Sequence, residues 1–292
     1  MGYSFETVDV FTERRFGGNP LAVFTDARGL SDADMQALAF EFNLSETTFV
    51  MPPATPANSA RIRIFNRTAE MAFAGHPSIG TAYVLARAGH PHGDCLRLEA
   101  PAGVIEVEIE REAGAVVGGK ITAPQPLKVG RTFAPEIVAP CIGLTSAAVI
   151  VAAHRPILCS VGNPYIIVET ALDDLARCAP DLAAFNAAYD GGADLSERFS
   201  LYVYARDGEN LRARMFAPLS GTWEDAATGS AATPLAALLL HLSGRERIAF
   251  DIRQGEHMSR PSLLRAAARR TEGGVVASVA GRCVPVLKGE LQ

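Results

Sequence analysis

The chain has 292 residues, 48% of them hydrophobic and 20% charged. That composition excludes a disordered, fibrous or low-complexity protein, and the length suits one large domain or two of about 150 residues. The 27 Lys and Arg against 32 Asp and Glu leave a net charge of −5, which argues against a nucleic-acid partner while leaving room for a local basic pocket for a small anion.

Met1 to Val10 carries Glu6 and Asp9 and no apolar run, so no signal peptide is read there. Alternation or β-branched enrichment predicts strands over Phe5–Phe11, Ala22–Thr25, Thr47–Met51, Ala60–Phe65, Cys95–Ala100 and Gly103–Glu110. Ser31, with Asp34 three residues on, predicts a capped helix with Met35, Leu38, Ala39 and Phe42 at helical spacing. A second helix runs from about His76 to Ala88 and ends at Gly89. The longest uncharged stretch, between Glu136 and His154, is broken by Pro140 and Gly143 and reads as loop plus strand, not as a membrane span. Further strands fall near Ile157–Val161, Tyr165–Thr170, Ser200–Ala205 and Leu211–Phe216. A helix from about Ser230 to Leu242 stops at Gly244, and the strand-like tail Val275–Leu287 is expected to pair back onto the first half. Cys95, Cys141, Cys159, Cys178 and Cys283 are scattered, odd in number and without CxxC spacing. Neither a disulfide framework nor a metal site is expected, and the expected compartment is a reducing cytoplasm.

Three blocks recur in the same order. Gly18-Asn19-Pro20 before an apolar run matches Gly162-Asn163-Pro164. Arg61-Ile62-Arg63-Ile64-Phe65 matches Arg212-Ala213-Arg214-Met215-Phe216. Ala74-Gly75-His76 before a helix matches Thr228-Gly229-Ser230 before the other. Ordered matching of three blocks indicates two homologous halves of about 140 residues, a period too long for a solenoid. The predicted fold is α+β: two similar, pseudo-twofold-related domains, each a barrel-like curled β-sheet around a central helix. The expected boundaries are 1–126, with a returning strand at about 278–292, and 127–277. A cleft between such domains is a favoured place for a small molecule.

The helix starts carry the chemistry. In each, a small residue and a glycine, Gly75 or Gly229, lead into a helix, where backbone N–H groups and the helix dipole favour an anion. The competing reading is an ordinary strand-to-helix turn. His76 suits a general acid or hydrogen-bond donor, against a capping or surface histidine. Ser230 holds the matching place, where serine ordinarily caps a helix; no GxSxG elbow supports a nucleophile. Glu224 and Asp225 precede the second helix, as dipole-stabilised carboxylates or as partners of His76 or substrate. Glu46 borders an apolar strand, where partial desolvation raises a carboxyl toward the working range of a proton-abstracting base; the alternative is a solvated turn residue. His90, His92, His154, His241 and His257 show no partner and are read as surface or packing residues.

With Asp9-Val10-Phe11-Thr12, Gly18-Asn19-Pro20-Leu21-Ala22-Val23, Ser45-Glu46-Thr47, Phe73-Ala74-Gly75-His76-Pro77, Gly162-Asn163-Pro164, Glu224 to Ala231, Gln254-Gly255 and Arg260-Pro261-Ser262 in this order, the chain resembles the PhzF-like (phenazine biosynthesis) isomerases of the diaminopimelate epimerase-like fold. The resemblance covers nearly the whole chain. It implies an isomerase without metal or organic cofactor, often a homodimer, acting on a small molecule. It implies that Glu46 moves a proton between carbons, that His76, Asp225 and Ser230 assist, and that Gly75, Thr228 and Gly229 bind substrate. The family member of phenazine synthesis isomerises trans-2,3-dihydro-3-hydroxyanthranilate. Ala226 stands where the family has Pro and keeps the turn small.

Amino-acid epimerases of this fold use a cysteine before each helix; neither turn here has one, which disfavours two-thiol racemisation. The alternatives to the isomerase are an epimerase or a water-eliminating lyase on the same site, and a non-catalytic metabolite-binding homodimer.

Overall fold

The computed structural model describes residues 2–91, 93–192 and 199–291; His92 lies outside them. The chain divides into two compact units, Met1–Thr122 with Ala280–Gln292, and Ala123–Val279. The first contains β1 (Tyr3–Val10), β2 (Asn19–Phe24), α1 (Asp32–Phe42), β3 (Glu46–Met51), β4 (Ala60–Phe65), β5 (Glu70–Met71), α2 (Gly75–Arg87), β6 (Cys95–Ala100), β7 (Gly103–Glu112) and β8 (Ala115–Thr122). The second contains β9 (Lys128–Thr132), α3 (Pro135–Cys141), β10 (Val149–Ile150), β11 (Ile157–Ser160), β12 (Pro164–Thr170), α4 (Leu172–Arg177), α5 (Leu182–Ala188), β13 (Leu201–Asp207), β14 (Asn210–Ala217), β15 (Thr222–Asp225), α6 (Gly229–Ser243), β16 (Arg247–Gln254) and β17 (Ser262–Thr271). The last strand, β18 (Gly274–Leu291), begins in the second unit and ends in the first.

In the first unit β1 pairs antiparallel with β2, β2 parallel with β3, and β3 antiparallel with β4. Strand β4 takes β5 antiparallel and β6 parallel, and β6, β7 and β8 continue antiparallel. Because β18 pairs with both β1 and β8, the ladder closes into a barrel with no open edge. Helix α2 is its core. Every residue from Gly75 to Ala86 is buried, as a helix apolar nearly all round requires. Gly80 permits the close approach: a Cβ there would lie 2.6 Å from Leu21 and 2.8 Å from Val10. Outside the barrel, α1 packs Met35 and Ala39 onto Phe24, Phe49 and Phe65. Its start is the predicted one, with Ser31 and Asp34 forming a capping box.

The second unit repeats this pairing step for step: β11–β12 antiparallel, β12–β13 parallel, β13–β14 antiparallel, β14 with β15 antiparallel and with β16 parallel, and β16–β17 antiparallel. Its helix α6 is buried from Ala231 to Leu240 and stops at Gly244, which takes a left-handed φ of 68°. The repeat reaches side chains. Arg63 lies over the Phe65 ring and pairs with Glu70 of β5; Arg214 lies over the Phe216 ring and pairs with Glu224 of β15.

Other expectations change. The stretch from Glu136 to His154 holds a helix, α3, as well as the short β10. Pro140 is tolerated because it sits in the last turn of a seven-residue helix. Strands β16 and β17 were not anticipated. The buried residues of β17 include Leu264, Ala266 and Ala268, which alternate with exposed Leu263, Arg265 and Arg269; alanine alternating with arginine is a weak strand signal. The tail does pair with the first half, over Tyr3–Val10. Among the described residues no helix is long and apolar enough to cross a membrane.

Candidate active site

Glu46 is the first residue of β3 and His76 the second of α2. The parallel register places Glu46 beside Leu21, whose side chain reaches Gly80 of α2, so Glu46 shares the face that looks at the helix. Its Oε2 lies 3.3 Å from His76 Nε2, with side chains only 15% and 7% exposed. The contact is close but not aligned as a hydrogen bond at Nε2. The imidazole is hydrogen-bonded to the Pro20 backbone carbonyl, and with Nε2 turned to Glu46 that bond belongs to Nδ1–H. Pro20 thus sets the tautomer and leaves the Nε2 lone pair facing the carboxyl. Burial pulls His76 down from 6.5 to about 3, against a smaller upward pull from Pro20. The ring is therefore neutral at pH 7 and has no imidazolium proton to give.

This burial has a consequence for stability. Below pH 6.5 the unfolded chain binds a proton at His76 that the folded chain refuses until about pH 3. The contribution of this site is complete above pH 6.5 and falls as pH drops toward 3. Between pH 7 and 5, His76→Asn should remove about 2 kcal/mol of the pH dependence of unfolding free energy. Urea unfolding of both proteins at the two pH values measures it; equal pH dependence would refute the assignment.

In the second unit Asp225 ends β15 and Thr228 is the residue before α6. Thr228 donates from Oγ1 to Asp225 Oδ2 at 2.6 Å, and its backbone N–H donates to Gln254 Oε1 at 3.2 Å. Both donors of Thr228 are thus engaged inside the protein, one of them on Asp225. Ser230 does not cap α6, whose start has no side-chain cap; its Oγ lies 2.7 Å from the Tyr165 hydroxyl. The start of α2 likewise has no side-chain cap. Each glycine, Gly75 and Gly229, is the first residue of its helix, where backbone N–H groups have no partner within the helix.

Glu224 turns to Arg214, with both carboxylate oxygens bound at 2.8 Å. Tyr165 and Gln254 carry no sequence signal as site residues beyond their places beside the repeated Gly162-Asn163-Pro164 and in Gln254-Gly255. His154 departs from its reading as a residue without a partner. It is buried, 2.8 Å from the Arg155 carbonyl and 3.0 Å from the Tyr204 hydroxyl, which donates to Glu169 at 2.7 Å. His241 and His257 are exposed. Among the described residues no group of three His, Cys, Asp or Glu could hold a metal ion.

Comparison with known proteins agrees with this architecture. A family model described as phenazine biosynthesis-like protein (PhzC-PhzF) matches residues 8–289. An uncharacterized isomerase from Mesorhizobium japonicum is 37% identical, over 97% of this chain and 96% of its own. Trans-2,3-dihydro-3-hydroxyanthranilate isomerase from Pseudomonas fluorescens is 35% identical, over 99% of both chains. The crystal structure of a PhzF-family phenazine biosynthesis protein from Bacillus anthracis superposes with a TM-score of 0.88, covering 100% of this chain and 99% of that one at 24% identity, and shares the fold. With a family match across nearly the whole chain and isomerases as full-length relatives, the chain belongs to the phenazine biosynthesis-like (PhzC-PhzF) family and is an isomerase.

Proposed function

We propose that this isomerase needs no cofactor and moves a proton between two carbons of a small carboxylate-bearing metabolite. Glu46 takes the proton from an activated carbon and returns it to another carbon on the same face. The observation that carries this reading is the buried 3.3 Å contact between Glu46 and a neutral His76. When Glu46 holds the substrate's proton, the new carboxylic acid faces the Nε2 lone pair, an acceptor. That arrangement favours the protonated base midway through the reaction, where an imidazolium would oppose it. A single carboxyl group suits removal and return on one face, whereas two-base epimerisation needs a second group opposite.

In this reading Asp225 and Ser230 serve as contacts for polar groups, and the backbone N–H groups at the helix starts, at Gly75 and at Gly229, are anion-binding groups. The working form is a cytoplasmic homodimer. The compound to try first is trans-2,3-dihydro-3-hydroxyanthranilate, named in relatives from three Pseudomonas species at 35% and 36% identity. Incubation followed by mass spectrometry tests the reading. A new product of unchanged mass is expected. A product lighter by one water would replace the proton shift with elimination, and no conversion at stoichiometric enzyme would remove this compound as substrate.

A further inference from the structure

Gln254, at the end of β16, is fully buried and makes four hydrogen bonds. Its Oε1 accepts from the Tyr202 hydroxyl at 3.1 Å and from the Thr228 backbone N–H at 3.2 Å. Its Nε2 donates to the Asp225 backbone carbonyl at 2.9 Å and to Thr228 Oγ1 at 3.0 Å. Two of these partners leave no choice of amide orientation. A backbone N–H can only donate and a backbone carbonyl can only accept, so oxygen must face Thr228 N and nitrogen must face Asp225 O. The amide direction then decides the Thr228 hydroxyl. Oγ1 accepts a hydrogen bond from Gln254 Nε2, and its own O–H points at Asp225 Oδ2, 2.6 Å away.

We propose that Gln254 is a positioning residue of the active site: it sets the direction of the Thr228 hydroxyl and thereby supplies Asp225 Oδ2 with a donor, which favours the carboxylate form. The proposal rests on the reading in which Asp225 handles a polar group of the substrate. The neighbouring side chains of this unit whose contacts are described are engaged elsewhere. Tyr202, from β13, spends its hydroxyl on Gln254 itself, and burial pushes its phenol up, so it stays a neutral donor. Tyr165, from β12, is engaged with Ser230 of α6. Met215 of β14, the register partner of Asp225, has no charge. Ser262 of β17 donates to the carbonyls of Ala226 and Arg260. Glu224, next in sequence, is held by Arg214.

Replacing Gln254 with Glu turns both donor contacts into acceptors. Thr228 then gives its hydroxyl proton to the new carboxylate, and Asp225 loses a donor and gains a like charge. Both changes favour the protonated form of Asp225. The test is a carboxyl ¹³C NMR titration of the full chain with labelled aspartate, the Asp225 signal being identified by its loss in Asp225→Asn. The Asp225 midpoint should rise by about one pH unit or more in Gln254→Glu and move the same way in Thr228→Val. The acid limb of kcat/KM should follow it. A purely structural role would lower stability and leave the midpoint in place, and an unchanged midpoint in folded Gln254→Glu overturns the proposal. Should that variant fail to fold, Gln254→Met, which removes the amide and adds no charge, is read in the same titration, and an unchanged Asp225 midpoint there overturns the proposal. Turnover at the wild-type rate by Asp225→Asn would refute the underlying reading of Asp225 and is seen separately from the titration.

Discussion

Glu46→Gln is expected to lower kcat by about a thousandfold while the protein folds and binds substrate as before. Gln keeps the size of the side chain and its place at the start of β3, and it removes only the group that can accept a proton from carbon. The neighbouring histidine cannot take over. Burial holds His76 well below its ordinary range, its Nδ1–H is bound to Pro20, and a base that weak is a poor proton acceptor. Stopped-flow or steady-state kinetics, with calorimetry for binding and a urea midpoint for folding, separate these effects. Wild-type turnover in the folded variant would remove Glu46 from the chemistry. A loss confined to KM would make it a binding residue.

Arg214→Met is expected to cost about 3–5 kcal/mol of stability, the largest effect foreseen for a residue away from the chemistry. Arg214 and Glu224 have side chains only 8% and 11% exposed. The guanidinium gives two bonds at 2.8 Å to Glu224 and others to the carbonyls of Leu175 and Cys178, at 3.2 and 2.7 Å, tying the end of α4 to β14. Removing it leaves a carboxylate buried without its cation and carbonyls without their donor. Removing both charges, in Arg214→Met with Glu224→Met, should restore a large part of the loss, because the penalty comes mainly from the stranded charge. Urea unfolding of the wild type and the two variants measures this. An Arg214→Met variant within 1 kcal/mol of wild type, on the scale of an exposed pair, would show that the pair contributes no more than a surface ion pair.

Arg214 also shows what could be read in advance. The matched blocks at Arg61–Phe65 and Arg212–Phe216 revealed two similar halves, because an arginine over an aromatic ring beside a carboxylate needs the same residue types each time. The central helices were legible from their apolar runs and from Gly89 and Gly244, where φ of 82° and 68° favours glycine. Strands β16 and β17 were not, since Ala266 and Ala268 fill inward positions without a strand-like residue type. Among the candidate residues, Glu46, His76, Asp225 and Ser230 stood out through their places beside strand and helix ends. Thr228 was named as a binding residue, but its role beside Asp225 was not legible, nor were Pro20 and Gln254 as supports. Pro20 acts through a carbonyl that every residue has, Thr228 through the direction of a hydroxyl, and Gln254 through an amide that becomes specific only once Asp225 and Thr228 are folded against it.

In the proposed reaction Glu46 carries a proton from one carbon to another. Proton NMR in D2O, with trans-2,3-dihydro-3-hydroxyanthranilate and either the wild-type protein or Glu46→Gln, tests it most directly. The expected result is conversion by the wild type with deuterium at a carbon that carried none before, and neither conversion nor labelling by the variant. Equal conversion and equal labelling by the two proteins would contradict it.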